Sequence, residues 1–237
     1  MANVQELSRL LKDLSAWLRY QKRLGVEWVP GSSAASYTED PFLKKIGEAK
    51  DLHNLKELLK NCTRCPLHEG RKNIVFGEGD PSARLVAVGE APGREEDLTG
   101  RPFIGPSGEL LTKMLKAIQI QRQKIFITSV VKCRPPRNRT PHADELRACR
   151  PILFRQIEII KPAIILALGQ TAVQAIIGTS RPLKELRGKV HQVEGIKVIA
   201  TYHPAFLLRF RGDAQKSFKK RAWEDLKLLR AEYEKVV

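Results

Sequence analysis

Long hydrophobic runs are missing from this chain of 237 residues. The strongest, Ala163 to Leu168, is far short of the ~20 apolar residues that a bilayer-crossing helix needs, so no membrane span is expected. The N-terminus is polar and of mixed charge, without a secretory apolar segment, and a reducing cytoplasm is the expected compartment. Acidic residues are scarce as well: 26 stand against 42 Lys and Arg, a formal net charge of +16. That imbalance suits a polyanionic partner, because neutralising phosphates releases counterions. An anionic membrane surface would attract it too, and a charged, solvated surface without a particular partner is the plain alternative.

Cysteine is rare, and its few positions are informative. The chain has four, as Cys62-x-x-Cys65, Cys133 and Cys149. A pair two residues apart on a turn presents both sulfurs to one metal centre, and two thiolates from distant segments complete a four-sulfur shell. Zinc and an iron–sulfur cluster both accept such a shell, and spacing does not choose between them. Two disulfides or four scattered core thiols are the bland alternatives, less suited to a reducing compartment.

What is present alternates between strand and helix patterns. Residues 4–24 read as an amphipathic helix with Leu7, Leu10, Leu11, Leu14, Trp17 and Leu18 on one stripe. Pro30 to Ser36 then reads as a linker, and a second helix is expected from about Pro41 to Lys60. Residues 1–50 are therefore expected to form a helical extension and linker, and 51–237 the main domain. The N-terminal stripe either packs on that domain or receives a protein partner or a membrane surface.

Four short apolar runs read as strands buried on both faces: Leu85–Val88, Ile125 through Val131, Ile164–Leu168 and Val198–Ala200. Helical patterns follow at Glu109–Ile118, Ala143–Ile160 and Thr171–Ile177, with a last one from about Ser217. The expected fold class is α/β: a three-layer α/β/α arrangement around a central, mainly parallel four-stranded sheet. Ligands in such sheets bind beyond the carboxyl ends of the strands. Three post-strand segments are then of interest. They are Gly89-Glu90-Ala91-Pro92-Gly93, the run from Ser129 through Lys132 and Cys133 to Arg139, and Tyr202-His203-Pro204-Ala205. A carboxylate, an aromatic (Phe103) and a histidine should meet at one cleft rim, although each alone has an ordinary structural explanation.

Taken together, these motifs resemble the family 4, iron–sulfur branch of the uracil-DNA glycosylase superfamily. The resemblance rests on Gly89-Glu90-Ala91-Pro92-Gly93, Gly100-Arg101-Pro102-Phe103, Val131-Lys132-Cys133-Arg134-Pro135-Pro136, His203-Pro204-Ala205 and the four cysteine spacings. It runs from about Leu55 to the C-terminus. It implies a 4Fe-4S cluster on Cys62, Cys65, Cys133 and Cys149, with zinc the minority reading. It also implies a DNA-repair hydrolase acting in base excision, which flips uracil from single- or double-stranded DNA and leaves an abasic site. A monomer is expected.

The resemblance further implies roles for individual residues. Phe103 would stack on the flipped base, with Gly89, Ala91 and Ser129 beside it. His203 would hydrogen-bond uracil O2, and Glu90 would orient the attacking water. The better-known branch carries a catalytic aspartate at the position of Ala91, so that route is absent here. Glu95, Glu96 and Asp97 fit a helix start better than catalysis. Ser107 and Arg209 would meet phosphates, Arg211 would flank them, and Leu207 would be the wedge that fills the vacated stack. Many members carry asparagine at Ser129, so a broader substrate range is expected. The basic stretch Phe210–Ser217 either extends the DNA footprint or forms a solvated loop.

Two other functions fit the scaffold. One is a non-catalytic uracil- or DNA-binding iron–sulfur module; the covalent offshoot of the superfamily carries a basic, histidine-containing insert, which Arg134-Pro135-Pro136-Arg137-Asn138-Arg139-Thr140-Pro141 lacks. The other is an electron-transfer or nucleic-acid-sensing protein, in which Glu90 and His203 would be dispensable.

Overall fold

The computed structural model describes residues 40–237. The helix expected over residues 4–24 and its linker lie outside the described residues.

The four apolar runs form four adjacent parallel strands: β2 (Leu85–Gly89), β3 (Phe126–Ser129), β4 (Ile164–Leu168) and β6 (Ile196–Thr201). Two further strands flank them, β1 (Glu78–Gly79) antiparallel to β3 and β5 (Val190–Val193) antiparallel to β6. The sheet order is β1-β3-β2-β4-β6-β5. The parallel centre is as expected. The antiparallel edges escape the apolar-run criterion because their residues are only partly buried.

Alternate strand residues feed two separate cores, as the two-residue period requires. Val86, Val88, Ile165, Ala167, Val198 and Ala200 face the helices Pro41–Glu48, Leu52–Leu59, Ala143–Ile160 and Gln170–Ile177. Leu85, Ala87, Ile164, Leu166, Leu168 and Ile199 face Pro106–Ala117, Pro204–Arg209 and Gly212–Tyr233. This is the three-layer arrangement.

Local chemistry sets several boundaries. The helix expected from Pro41 to Lys60 is two helices, because Asp51 starts a new one by accepting from Asn54 N at 2.7 Å. Ala49 between them is extended, and its carbonyl accepts from the Arg155 guanidinium at 2.7 and 3.1 Å. Ile46 and Ala49 are buried, so residues 41–49, grouped by sequence with the extension, pack into the main body. The stretch Phe210–Ser217 is no loop either. Phe210 joins a ring cluster with Phe206 and Phe218 at 4.8–4.9 Å, and the last helix begins at Gly212.

Register aligns the strand ends. Gly89 pairs with Ser129, and Leu168 pairs with Thr201. The residues that follow β2, β3, β4 and β6 thus emerge along one edge of the sheet.

Candidate active site and cysteine centre

Glu90 is the first residue beyond β2. Its backbone is tied to the neighbouring strand end, since Val130 N donates to Gly89 O at 2.9 Å and Val131 N to Glu90 O at 3.2 Å. Its carboxylate accepts a hydrogen bond from the Thr171 hydroxyl. Thr171 sits in the first turn of Gln170–Ile177, directly after β4. The residues after β4 were not singled out from the sequence, although the same strand-end rule applies to them.

Phe103 reaches the same edge from a loop. A Cβ on Gly89 would lie 2.5 Å from Phe103 Cζ and 3.4 Å from Ser129 Oγ, so only glycine lets the phenyl ring settle there. Phe103 itself has φ 50°, a left-handed conformation that costs a non-glycine residue roughly 1–2 kcal/mol. The surroundings enforce it. The Glu96 carboxylate accepts from Ile104 N at 2.9 Å and Gly105 N at 3.0 Å. Gly108 packs so closely that a Cβ would fall 1.8 Å from Phe103 O. Glu96 also accepts from Gly93 N, and Asp97 from Lys72 N and Asn73 N. Glu96 thus caps its own helix start at Gly93 and holds the Phe103 loop, while Asp97 ties that helix to the Lys72–Asn73 segment.

His203 caps the helix Pro204–Arg209. Ala205 N donates to its Nδ1 at 3.1 Å, so Nδ1 is an acceptor and the ring hydrogen resides on Nε2. Burial pushes its pKa down to about 4, with the Arg209 cation adding to the effect and Glu96 opposing it. Its ring centroid lies 5.5 Å from that of Phe103 at 31°. Gly169, at φ 88°, makes room behind it: a Cβ there would sit 3.0 Å from His203 Cβ. Glu90, Phe103, Ser129 and His203 thus gather at one strand edge, around Gly89. Ala91 follows Glu90 and is partly buried.

The outer residues divide. Ser107 lies in the first turn of Pro106–Ala117, partly exposed, and Arg209 is exposed. Leu207 does not fit the expected wedge: it is 2% exposed and belongs to the core, whereas Leu208 is 40% exposed. Tyr202 stacks on Phe206 at 5.3 Å and meets Phe218 edge-on at 5.4 Å, which anchors the short helix with Leu207 inward and the next leucine outward. Sequence pattern does not distinguish adjacent leucines on a six-residue helix.

The four cysteines line one cavity, together with Leu59, Ile74, Ala148, Ile152, Arg64, Arg71 and Lys132. None is in a disulfide; Cys62 and Cys65 are half-buried, Cys133 and Cys149 buried. Among the described residues, no three His, Cys, Asp or Glu converge tightly enough for a single ion. Three sulfurs receive protein donors, Cys65 from the Leu67 backbone N–H. Arg71 donates to Cys133 Sγ at 3.4 Å and to Cys62 O at 2.7 Å, and Lys132 N donates to Cys149 Sγ at 3.3 Å. Burial pushes the Cys133 and Cys65 thiols up, and Cys149 up to about 12. A bound cationic centre reverses that cost by stabilising thiolate. The buried Lys132 amine joins this region to the strand edge at Ser129, donating to Thr128 Oγ1, Ser129 O and Gln156 Oε1 at 2.6–2.7 Å.

The family model described as the uracil DNA glycosylase superfamily matches residues 76–227. The chain is similar to the type-4 uracil-DNA glycosylase of Pyrobaculum aerophilum, 48% identical over 177 residues, covering 70% of this chain and 90% of that protein. The type-4 uracil-DNA glycosylase of Thermotoga maritima is 49% identical over 161 residues, covering 67% of this chain and 84% of that protein. That of Archaeoglobus fulgidus is 42% identical over 182 residues, covering 72% and 92%.

Proposed function

The chain belongs to the uracil DNA glycosylase superfamily, and we propose that it removes uracil from DNA with Glu90, Phe103, Ser129 and His203 as its working side chains. It is a DNA-repair glycosylase, and the bond it hydrolyses joins the base N1 to the sugar C1′.

The observation that carries the assignment is the Ala205 N–H held on His203 Nδ1 at 3.1 Å. It leaves Nε2–H free to donate. A neutral imidazole suits the task, since charge collects on the pyrimidine as the C1′–N1 bond stretches and a preorganised donor at O2 stabilises it. Uracil must first leave the stack, at a cost of a few kcal/mol, and the Phe103 face offsets part of that by stacking. Glu90, steadied by Thr171, orients water toward C1′ and favours the developing oxocarbenium charge. Ser129 supplies one short hydroxyl where a longer amide would supply two groups, which weakens exclusion of other deaminated bases by roughly 1–3 kcal/mol. Ser107 and Arg209 contact phosphates. Leu208, the exposed neighbour of Leu207, enters the vacated stack.

Cys62, Cys65, Cys133 and Cys149 hold a 4Fe-4S cluster in this reading. All four line one shared cavity, as a four-thiolate centre requires, and the family resemblance favours the cluster over zinc. When bound, the cluster supplies a covalent tie between the Cys62–Cys65 turn, the segment after β3 and the helix Ala143–Ile160. Hydrolysis needs no electron from it.

The test is excision from an end-labelled oligonucleotide with one central uracil, followed by hot alkali. Cleavage that disappears in His203→Ala supports the reading. Tight retention of the uracil strand without cleavage would replace it with a non-catalytic binding module. Cleavage undiminished in both His203→Ala and Glu90→Ala would overturn the residue assignment.

A further inference from the structure

We propose that Arg71 sets the redox poise of the cysteine centre, holding a bound cluster toward its reduced, more negative state. The inference rests on the cluster reading above. Arg71 follows the short helix Leu67–Gly70 and turns its guanidinium into the cavity that the four sulfurs line. One nitrogen donates both to Cys133 Sγ at 3.4 Å and to Cys62 O at 2.7 Å. The two contacts join cysteines 71 positions apart in the chain and put a permanent cation against one ligand sulfur.

The other cations around the cavity are engaged differently. Arg64 is paired with Asp40 at 2.6 Å, which offsets its charge. The Lys132 amine directs its hydrogens to Thr128, Ser129 and Gln156 at 2.6–2.7 Å, while its backbone N–H serves Cys149. Arg71 thus brings both charge and a side-chain donor to a sulfur. A cluster on four thiolates is net negative, and reduction adds a further electron. A cation and an N–H···S hydrogen bond stabilise the more negative state, so they raise the reduction potential. The guanidinium is delocalised and planar, which lets it serve the carbonyl and the sulfur together.

The experiment is a one-electron potentiometric titration of the purified, cluster-loaded protein, with iron content measured alongside. We expect the midpoint of Arg71→Gln to fall, the oxidised-to-reduced ratio at fixed potential rising roughly tenfold, which is about 59 mV for one electron. Arg71→Lys should fall by a smaller amount, since it keeps the charge without the fork. A loaded Arg71→Gln protein with an unchanged midpoint would overturn the inference and leave Arg71 as a strap on the Cys62 carbonyl. If Arg71→Gln folds but takes up no iron after anaerobic reconstitution, Arg71→Lys decides: a lowered midpoint supports the assignment and an unchanged one rejects it. An iron-free wild-type protein would sink the cofactor reading itself, and this inference with it.

Discussion

Thr171 donates its hydroxyl hydrogen to the Glu90 carboxylate and so joins the residue after β2 to the first turn of the helix after β4. β2 and β4 are neighbours, but the helices Pro106–Ala117, between β2 and β3, and Gln170–Ile177, after β4, pack on opposite faces of the sheet. The bond therefore spans the point where the chain changes direction, which is where open α/β sheets place their ligands.

Removing that bond should leave Glu90 in place but less firmly aimed. Thr171→Val, which keeps the side-chain shape, is expected to lower kcat for uracil excision about tenfold, equivalent to ~1.4 kcal/mol, with little change in KM. Single-turnover kinetics on a uracil oligonucleotide would measure it. A rate within about twofold of wild type would mean that Glu90 is oriented by something else.

The pH dependence follows from His203. Its folded pKa of about 4 lies below the ordinary histidine value, so the imidazole is neutral across the neutral range. The kcat/KM profile should therefore show no inflection near about 6.5 that depends on His203. The sign for stability is the same. The unfolded chain binds this proton first, so the contribution is complete above about 6.5 and is lost as pH falls toward about 4. An inflection near neutrality that vanishes in His203→Ala would contradict a neutral donor.

Leu207 and Leu208 should separate stability from action on DNA. Leu207→Ala empties a core position and is expected to cost roughly 2–5 kcal/mol of unfolding free energy. Leu208→Ala should leave stability within about 0.5 kcal/mol, yet slow excision from duplex more than from single strands. Thermal melts and paired excision assays read the two effects. Equal excision from both substrates would remove Leu208 as the wedge.

At Ser129 the expectation is one of selectivity. Ser129→Asn offers the base a donor and an acceptor together, so excision of uracil relative to hypoxanthine or xanthine should rise by about tenfold or more. Competition between such substrates in one reaction gives the ratio directly, and an unaltered ratio would disprove the role.

Much of the site was legible because strand ends can be read from apolar runs. Glu90, Ser129 and His203 each stand at or just past such a run, and β-sheet register brings them to one edge. Phe103 was legible only through its motif, since the loop that carries it is shaped by Glu96 and Gly108 from elsewhere in the chain. Arg71 left no comparable signal, and Thr171, although it too follows a strand end, gave none of its bond to Glu90. Their partners are 62 and 81 residues away in sequence, and nothing in a side chain's identity announces a distant acceptor.

The sequence by itself determined the fold class, the four central strands and the four cysteines, because periodicity and residue type are local properties. Tertiary structure alone decided which of two adjacent leucines faces outward. It also decided that Glu96 supports the Phe103 loop, that the basic stretch after Phe210 starts a helix, and that one arginine reaches the Cys133 sulfur. Those outcomes depend on packing between segments far apart in the chain, where burial and hydrogen-bond satisfaction choose among side chains that look equivalent in sequence.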